Sequence, residues 1–399
     1  MDDDRVAVAS PSDDGQSVRG DGPRLAGHSS SRLSTDSTKA SASCWSIHDR
    51  ATAARRQRSA DRRAAPAVVD HAAGTVTPYR VVMSAPLIRL IVPHFGQRPS
   101  YLSLVLRSMA HNPDVHWLLL TDRPVADVPS NVAVQLGTFA DMVARIRGCF
   151  DFPISLERPY KLCDFRPAFG EIFSEELAGY DFWGHCDLDV IFGRIREHLP
   201  PEAFNADKVL FQGNFALYRN TAEAAAWFRH ETDGVSYRQV MMTPEAMHFD
   251  EWAGIYRIVR DLGVRYWQQD RIFDLSFSTY RTRAETADGD KPRRYAWEHG
   301  EVAEYRLRGG EVLRQTGLLV HLQKRTMRPP TGDVLDADRY WILANGFTVQ
   351  NRISPWRIRA ATIPFGHEML PFYWRRIRRN IRRHRARTRP AGGTVKTRG

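Results

Sequence analysis

The chain has 399 residues, 42% hydrophobic and 26% charged, enough for one large globular domain with tails or two average ones. It has no run of about 18 apolar residues, which excludes a membrane-spanning helix, and its four cysteines (Cys44, Cys149, Cys163, Cys186) lack zinc-site or disulfide-framework spacing, which fits a reducing cytoplasm. The formal net charge of +11 is local: nine arginines lie between 375 and 389, the remainder is about +2, and this argues against a general nucleic-acid-binding surface.

Residues 1–82 hold two aromatics, Trp45 and Tyr79, one Ile and two Leu. Such a segment cannot bury enough apolar surface to offset chain entropy and reads as a disordered tail. It opens Met-Asp-Asp-Asp, the wrong charge for a signal peptide, and a start at Met83 is the alternative. Leu87–Val92 then reads as a first strand, ending at Pro93-His94-Phe95-Gly96. Ser100–Ala110 has helical periodicity, Val115–Leu120 and Val132–Leu136 read as strands, and Phe139–Phe150 as a helix. Strands alternating with helices over short connections predict an α/β domain with a largely parallel sheet. In such sheets ligands bind beyond the carboxyl ends of the strands.

The stretch from Tyr180 to Gly193 (YDFWGHCDLDVIFG) reads as an extended strand. Its even positions, from Phe182 to Phe192, are apolar. Its odd positions, Trp183, His185, Asp187 and Asp189, bring two carboxylates to one side. Paired carboxylates repel unless a cation, a proton or strong donors lie between them. Mg²⁺ and Mn²⁺ suit carboxylate oxygens and are often shared with substrate phosphates. Turn chemistry is the other reading of Asp at a strand end.

Further on, Val209–Tyr218 reads as a strand with a bulge at Gly213, and Thr221–Glu231 as a helix capped by Asn220 or Thr221. Met247–Val259 reads as a helix opening on His248-Phe-Asp-Glu-Trp252. Asp250 and Glu251 stand there between aromatics, either to take a proton from a bound hydroxyl or as acids favoured at a helix start. Residues 284–293 read as a loop. Gly317–Leu322 reads as a strand with His321 near its end, and Lys324 and Arg325 follow. The chain turns basic beyond about residue 350, so the expected division is a tail at 1–82, a domain at 83–350 and a basic tail at 351–399.

The combined pattern of Lys161-Leu-Cys-Asp-Phe-Arg-Pro-Ala-Phe-Gly170 and Gly179-Tyr-Asp-Phe-Trp-Gly-His-Cys-Asp-Leu-Asp189 resembles a bacterial glycosyltransferase family linked to cell-surface polysaccharide synthesis. The resemblance spans about Ile88 to Met327 and is most specific over 160–193. It implies a GT-A-like (Rossmann-like) fold with a mixed, mostly parallel sheet flanked by helices. It also implies transfer of a sugar from a nucleotide-sugar, of the UDP type, to a saccharide or lipid-linked acceptor. Asp187 and Asp189 would hold Mn²⁺ or Mg²⁺, with Asp187 also near the ribose, and His321 would be a further ligand. A core histidine is the other reading of His321. Lys324 would meet the diphosphate. Lys161, Asp164 and Arg166 would contact the nucleotide, with a helix cap and solvated charges as the alternative. Pro93-His94-Phe95 would border the base, or form an ordinary strand–helix turn. A metal-dependent phosphotransferase or nucleotide hydrolase is a rival, although no Walker-type loop is visible.

Phe372-Tyr-Trp374 precedes the arginine run. Aromatics beside cations describe an interfacial anchor on anionic membrane, which predicts a cytoplasmic protein able to sit on the inner face of the membrane. The rival is a nucleic-acid-binding protein using the arginine tail, but no nucleic-acid module is legible in the core, so no specific nucleic acid is expected.

Overall fold

The computed structural model describes residues 85–269, 271–276, 292–323, 325–349 and 352–360, with positions 370, 373, 374, 377, 378 and 381. All fall in one of the chain's two units, Ala40–Gly399. The tail at 1–82, Lys324, Phe372, most of the arginine run and most of the 284–293 loop lie outside the described residues.

The first strands are β1 (Ile88–His94), β2 (Val115–Thr121), β3 (Val132–Leu136), β4 (Phe182–Cys186) and β5 (Val190–Phe192). Next come β6 (Lys208–Gln212), β7 (Phe215–Arg219), β8 (Tyr266–Trp267), β9 (Ile272–Asp274) and β10 (Arg293–Glu298). The last are β11 (Glu301–Arg308), β12 (Glu311–Gly317), β13 (Leu319–His321), β14 (Arg339–Ile342) and β15 (Phe347–Thr348). A seven-stranded sheet runs β3-β2-β1-β4-β7-β6-β8. Its first four strands are parallel, β7 is antiparallel to both neighbours, and β8 is parallel to β6. The molecule is therefore α/β, with a large mixed sheet flanked by helices.

Period-2 alternation sends neighbouring side chains to opposite faces of this sheet. Leu90, Val92, Trp117, Leu119, Phe182, Phe215 and Leu217 pack into one core. Ile91, Leu118, Leu120, Trp183, Ala216 and Tyr218 pack into the other, under the helices Phe139–Arg147 and Ile255–Asp261. A sheet covered on both faces buries both sides of its central strands. That corrects the one-sided reading of β4: Trp183 and His185 are as buried as Phe182 and Cys186.

The stretch 180–193 is also not one strand. The backbone bends after Cys186, and β5 leaves for a small three-stranded sheet ordered β5-β13-β9. Asp187 and Asp189 occupy the bend rather than a strand face. The expected strand Val209–Tyr218 is instead a hairpin, β6 to β7, because Gly213-Asn214 is a turn signal rather than a bulge. Thr221 caps the next helix, accepting from Ala224 N–H at 3.1 Å. The helix expected from Met247 begins only at Ile255. His248 sits at φ 55°, which breaks helical geometry.

A five-stranded antiparallel sheet, β12-β11-β10-β14-β15, follows late in the chain. The helix Pro355–Ala360 buries Ile358 against this sheet, with Tyr305 and Trp341. The fold thus continues past residue 350. No helix among the described residues is long and apolar enough to cross a membrane.

Candidate functional site

The chain runs outward from β1 through β2 to β3, then returns to place β4 on the other side of β1. Strand order reverses at β1/β4, and the crevice beyond the carboxyl ends of such strands is where open α/β sheets bind ligands. β1 ends there at Pro93-His94, with Phe95 following, and β4 ends at Cys186, immediately before Asp187.

Three side chains converge at that mouth. β13 pairs antiparallel with β5 so that His321 lies opposite Val190, the residue after Asp189. Leu322 N–H donates to Asp189 O at 2.8 Å, and Asp187 N–H to Asn214 O at 3.2 Å, which fixes both acids by their backbones. His321 Nε2 stands 3.3 Å from Asp189 Oδ1 and 3.6 Å from Asp187 Oδ2. One donor atom from each of the three residues lies within 4.8 Å of the others. All three side chains are partly exposed, so the cluster opens to solvent.

Burial pulls the His321 pKa down. Hydrogen bonds to Asp189 and Asp274, with the charges of Asp189 and Asp187, outweigh burial and push it up to about 10. A positive charge beside paired carboxylates is the cation role that their repulsion demands, whether a proton on the ring or a metal ion supplies it. The same donors fit a hard divalent ion. Around a Mg²⁺-sized ion with bonds near 2.1 Å, neighbouring ligands lie about 3.0 Å apart and opposite ones about 4.2 Å. The observed 3.3 and 3.6 Å fall between these spacings. Two carboxylates with one imidazole also suit Mn²⁺ chemically.

Arg166 joins this cluster to a second one. Its Nη2 donates to Asp187 Oδ1. Its Nη1 donates to Asp250 Oδ2 at 2.8 Å and to Gly213 O at 2.6 Å. Burial opposes the Arg166 charge, but Asp187 and Asp250 raise its pKa well above the usual value. Its fork is committed to protein acids, so it serves as a strut between them. Asp250 is fully buried, and Oδ1 has no partner among the described residues. Burial raises its pKa to about 6, against the lowering effect of Arg166, with Glu251 and Asp187 adding to the rise. Glu251 is partly exposed and lies 4.0 Å from His248 Nδ1. A Cβ on Gly213 would come within 2.5 Å of Glu251 Oε1 and 3.1 Å of Asp250 Oδ2, so the hairpin turn fits against the acid pair.

Lys161 and Asp164 lie beneath the site. Lys161 Nζ donates to Asp164 Oδ2 at 2.7 Å, Val240 O at 2.8 Å and Glu245 O at 2.7 Å. Asp164 accepts from the Met247 and Phe249 N–H groups, each at 2.8 Å. Both are buried, and together they pin the segment that carries Asp250 and Glu251. The Pro93–Phe95 loop sits at the mouth. Phe95 packs on Phe139, and Gly96 N–H meets both Asp122 oxygens at 3.1 Å. Sequence reading missed Asp274, Asn214 and the two tyrosines, Tyr256 and Tyr266, that join Trp252 around Phe211. A carboxylate closing an apolar strand, as Asp274 closes β9, was the only signal for the first.

Fold and site together define an α/β protein with a carboxylate–imidazole cluster at the switch point of its sheet. Residues 90–351 match a family of unknown function (DUF6625), and the chain belongs to that family. A comparison with curated proteins found no match.

Proposed function

We propose that the chain is a metal-dependent glycosyltransferase that moves a sugar from a nucleotide-sugar of the UDP type to a saccharide or lipid-linked acceptor. The observation that carries this reading is the convergence of Asp187, Asp189 and His321 at the β1/β4 switch point. The family resemblance of residues 160–193 supports it. Those three residues would hold Mn²⁺ or Mg²⁺, which supplies positive charge against a diphosphate leaving group. The Pro93–Phe95 loop would border the nucleoside.

The two acids of the second cluster take different parts. Asp250 is fully buried and bound to Arg166, so it positions that strut. Glu251 is the acid that reaches solvent, and a base must touch the hydroxyl it deprotonates. Trp252 and Tyr266, both exposed nearby, offer ring faces to an acceptor. A thermal-shift panel of UDP- and GDP-sugars with Mn²⁺, Mg²⁺ or chelator tests this reading. A shift that needs both metal and nucleotide is expected, and no metal-dependent shift with any nucleotide would overturn it.

Attachment to anionic membrane is part of the same proposal. Leu370, Trp374, Ile377 and Ile381 recur at helical spacing and are all exposed. The Arg378 guanidinium lies 5.5 Å from the Trp374 ring centroid. An apolar stripe beside cations suits the lipid interface.

A further inference from the structure

We infer that Asp274 is a positioning residue for the imidazole of His321, an inference that rests on the metal reading above. Asp274 closes β9 and lies opposite His321 in the parallel β9–β13 pair. Its Oδ1 is 2.8 Å from His321 Nδ1. The other ring nitrogen, Nε2, is the one beside Asp189 and Asp187. The two nitrogens point to opposite sides of the ring. Asp274 therefore grips the far side, and it is not among the three residues of the candidate cluster.

The chemistry of the contact selects a tautomer. An ionised carboxylate only accepts hydrogen bonds, so Nδ1 must carry the hydrogen. In the neutral ring this leaves the Nε2 lone pair aimed at the two acids, the form in which an imidazole ligates a metal. Asn214 Nδ2 stands 3.0 Å from the same Nδ1. Turned end for end, its amide presents oxygen to the Nδ1 hydrogen, and that turn also gives a partner to Asn214 Oδ1, which is buried and otherwise has none among the described residues.

Asp274 is itself held. Gln323 Nε2 donates to Asp274 Oδ1, and Leu275 N–H donates to His321 O at 3.1 Å. The three-stranded sheet thus has a functional logic. β5 follows Asp189, β13 ends on His321, and β9 supplies the carboxylate that orients the ring.

The test is Mn²⁺ binding to the full chain, followed by the free-ion paramagnetic resonance signal. It is read together with the nitrogen coupling that a directly bound imidazole gives to bound Mn²⁺. The variants are Asp274→Ala, Asp274→Asn, His321→Ala and Asp189→Ala. Asp274→Ala should weaken Mn²⁺ binding about 10- to 100-fold, as loss of a ligand's supporting partner does. At saturating Mn²⁺ its nitrogen coupling should fall toward that of His321→Ala. Asp274→Asn, whose amide oxygen still accepts from Nδ1, should recover part of both. A purely structural role for Asp274 would not move the nitrogen coupling while carboxylate binding persists. Wild-type affinity and coupling in Asp274→Ala, with binding lost in Asp189→Ala, would overturn this inference and leave the metal reading standing. Wild-type protein that binds no Mn²⁺ would overturn the metal reading, and the role of Asp274 with it.

Discussion

Asp187 and Asp250 share one guanidinium. Arg166 donates to Asp187 with one terminal nitrogen and to Asp250 with the other, the latter at 2.8 Å. The acid in the β4–β5 bend is therefore mechanically tied to the acid beside Glu251. The tie fixes the distance between the candidate metal cluster and the candidate base.

Removing the strut should be costly. Arg166→Met leaves Asp250 buried and without its cation, and breaking a buried pair from one side costs about 3–5 kcal/mol. Urea unfolding should show that loss. Arg166→Lys keeps the charge but cannot reach both acids with one fork, so it should lose less stability while still weakening Mn²⁺ binding. A fully stable Arg166→Met variant would show that Arg166 does not hold the two acids.

Asp250 should leave a signature in the pH dependence of stability. Its folded pKa is raised from 3.8 to about 6 by burial. The folded state thus keeps a proton that the unfolded chain has already released. The stability this supplies is present below about pH 4, is lost as pH rises to about 6, and stays lost above. The difference in unfolding free energy between wild type and Asp250→Asn should change by roughly 3 kcal/mol across that window. A flat difference would mean that Asp250 ionises as an ordinary surface acid.

Each cluster residue should matter to metal binding in proportion to its contact. Asp189→Ala should abolish Mn²⁺-dependent nucleotide binding with the fold intact, and His321→Ala, which keeps both carboxylates, should weaken it. Asp187→Ala should weaken it strongly and also free one arm of Arg166. Calorimetric titration with Mn²⁺ and UDP would decide. Unchanged binding in all three variants would sink the metal assignment.

Much of this was legible in the chain. The apolar runs at Leu87–Val92 and Val115–Leu120 located β1 and β2, because strands buried on both faces need near-continuous Val, Ile and Leu. Asp187, Asp189 and His321 were legible as metal-type residues at the ends of apolar strands. Their meeting was implied only by the family resemblance, since the β5–β13 pairing is a long-range event that no local pattern shows. The five-stranded sheet escaped because its interior is partly ionic. Arg293 pairs with Glu304 at 2.9 Å, and Glu298 accepts from the Tyr305 hydroxyl at 2.7 Å. Strands carrying such pairs do not alternate cleanly between polar and apolar. His299-Gly300 and Gly309-Gly310 were the usable turn signals. Lys161 and Asp164 read as ligand-facing because charge predicts exposure, whereas here the two charges neutralise each other inside the fold.

Two glycines should respond differently to a methyl group. A Cβ on Gly184 would meet the Ala216 carbonyl at 2.1 Å, inside the β4–β7 pair, where backbone cannot yield. Gly184→Ala should destabilise by at least the upper end of the roughly 1–3 kcal/mol typical of overpacking. At Gly213 the nearest atom is the tip of Glu251, which can swing aside. Gly213→Ala should change stability by less than about 1 kcal/mol yet lower turnover by displacing the candidate base. Comparing melting temperature with sugar transfer for the two variants separates frame from site.

The basic tail should bind anionic lipid by two separable forces. Each arginine near such a surface contributes about 1 kcal/mol, so several of the nine between 375 and 389 suffice for reversible attachment. That part should fall steeply with salt, because screening acts over about 10 Å at 0.1 M. The exposed stripe of Leu370, Trp374, Ile377 and Ile381 adds an apolar part that salt does not screen. Trp374→Ala should therefore reduce mainly the binding that survives at high salt. Arginine replacements at 375, 376, 378 and 379 should reduce mainly the binding seen at low salt. Co-sedimentation with neutral and anionic vesicles measures both. Equal pelleting on the two vesicle types, or tight binding to nucleic acid with none to lipid, would refute attachment through this tail.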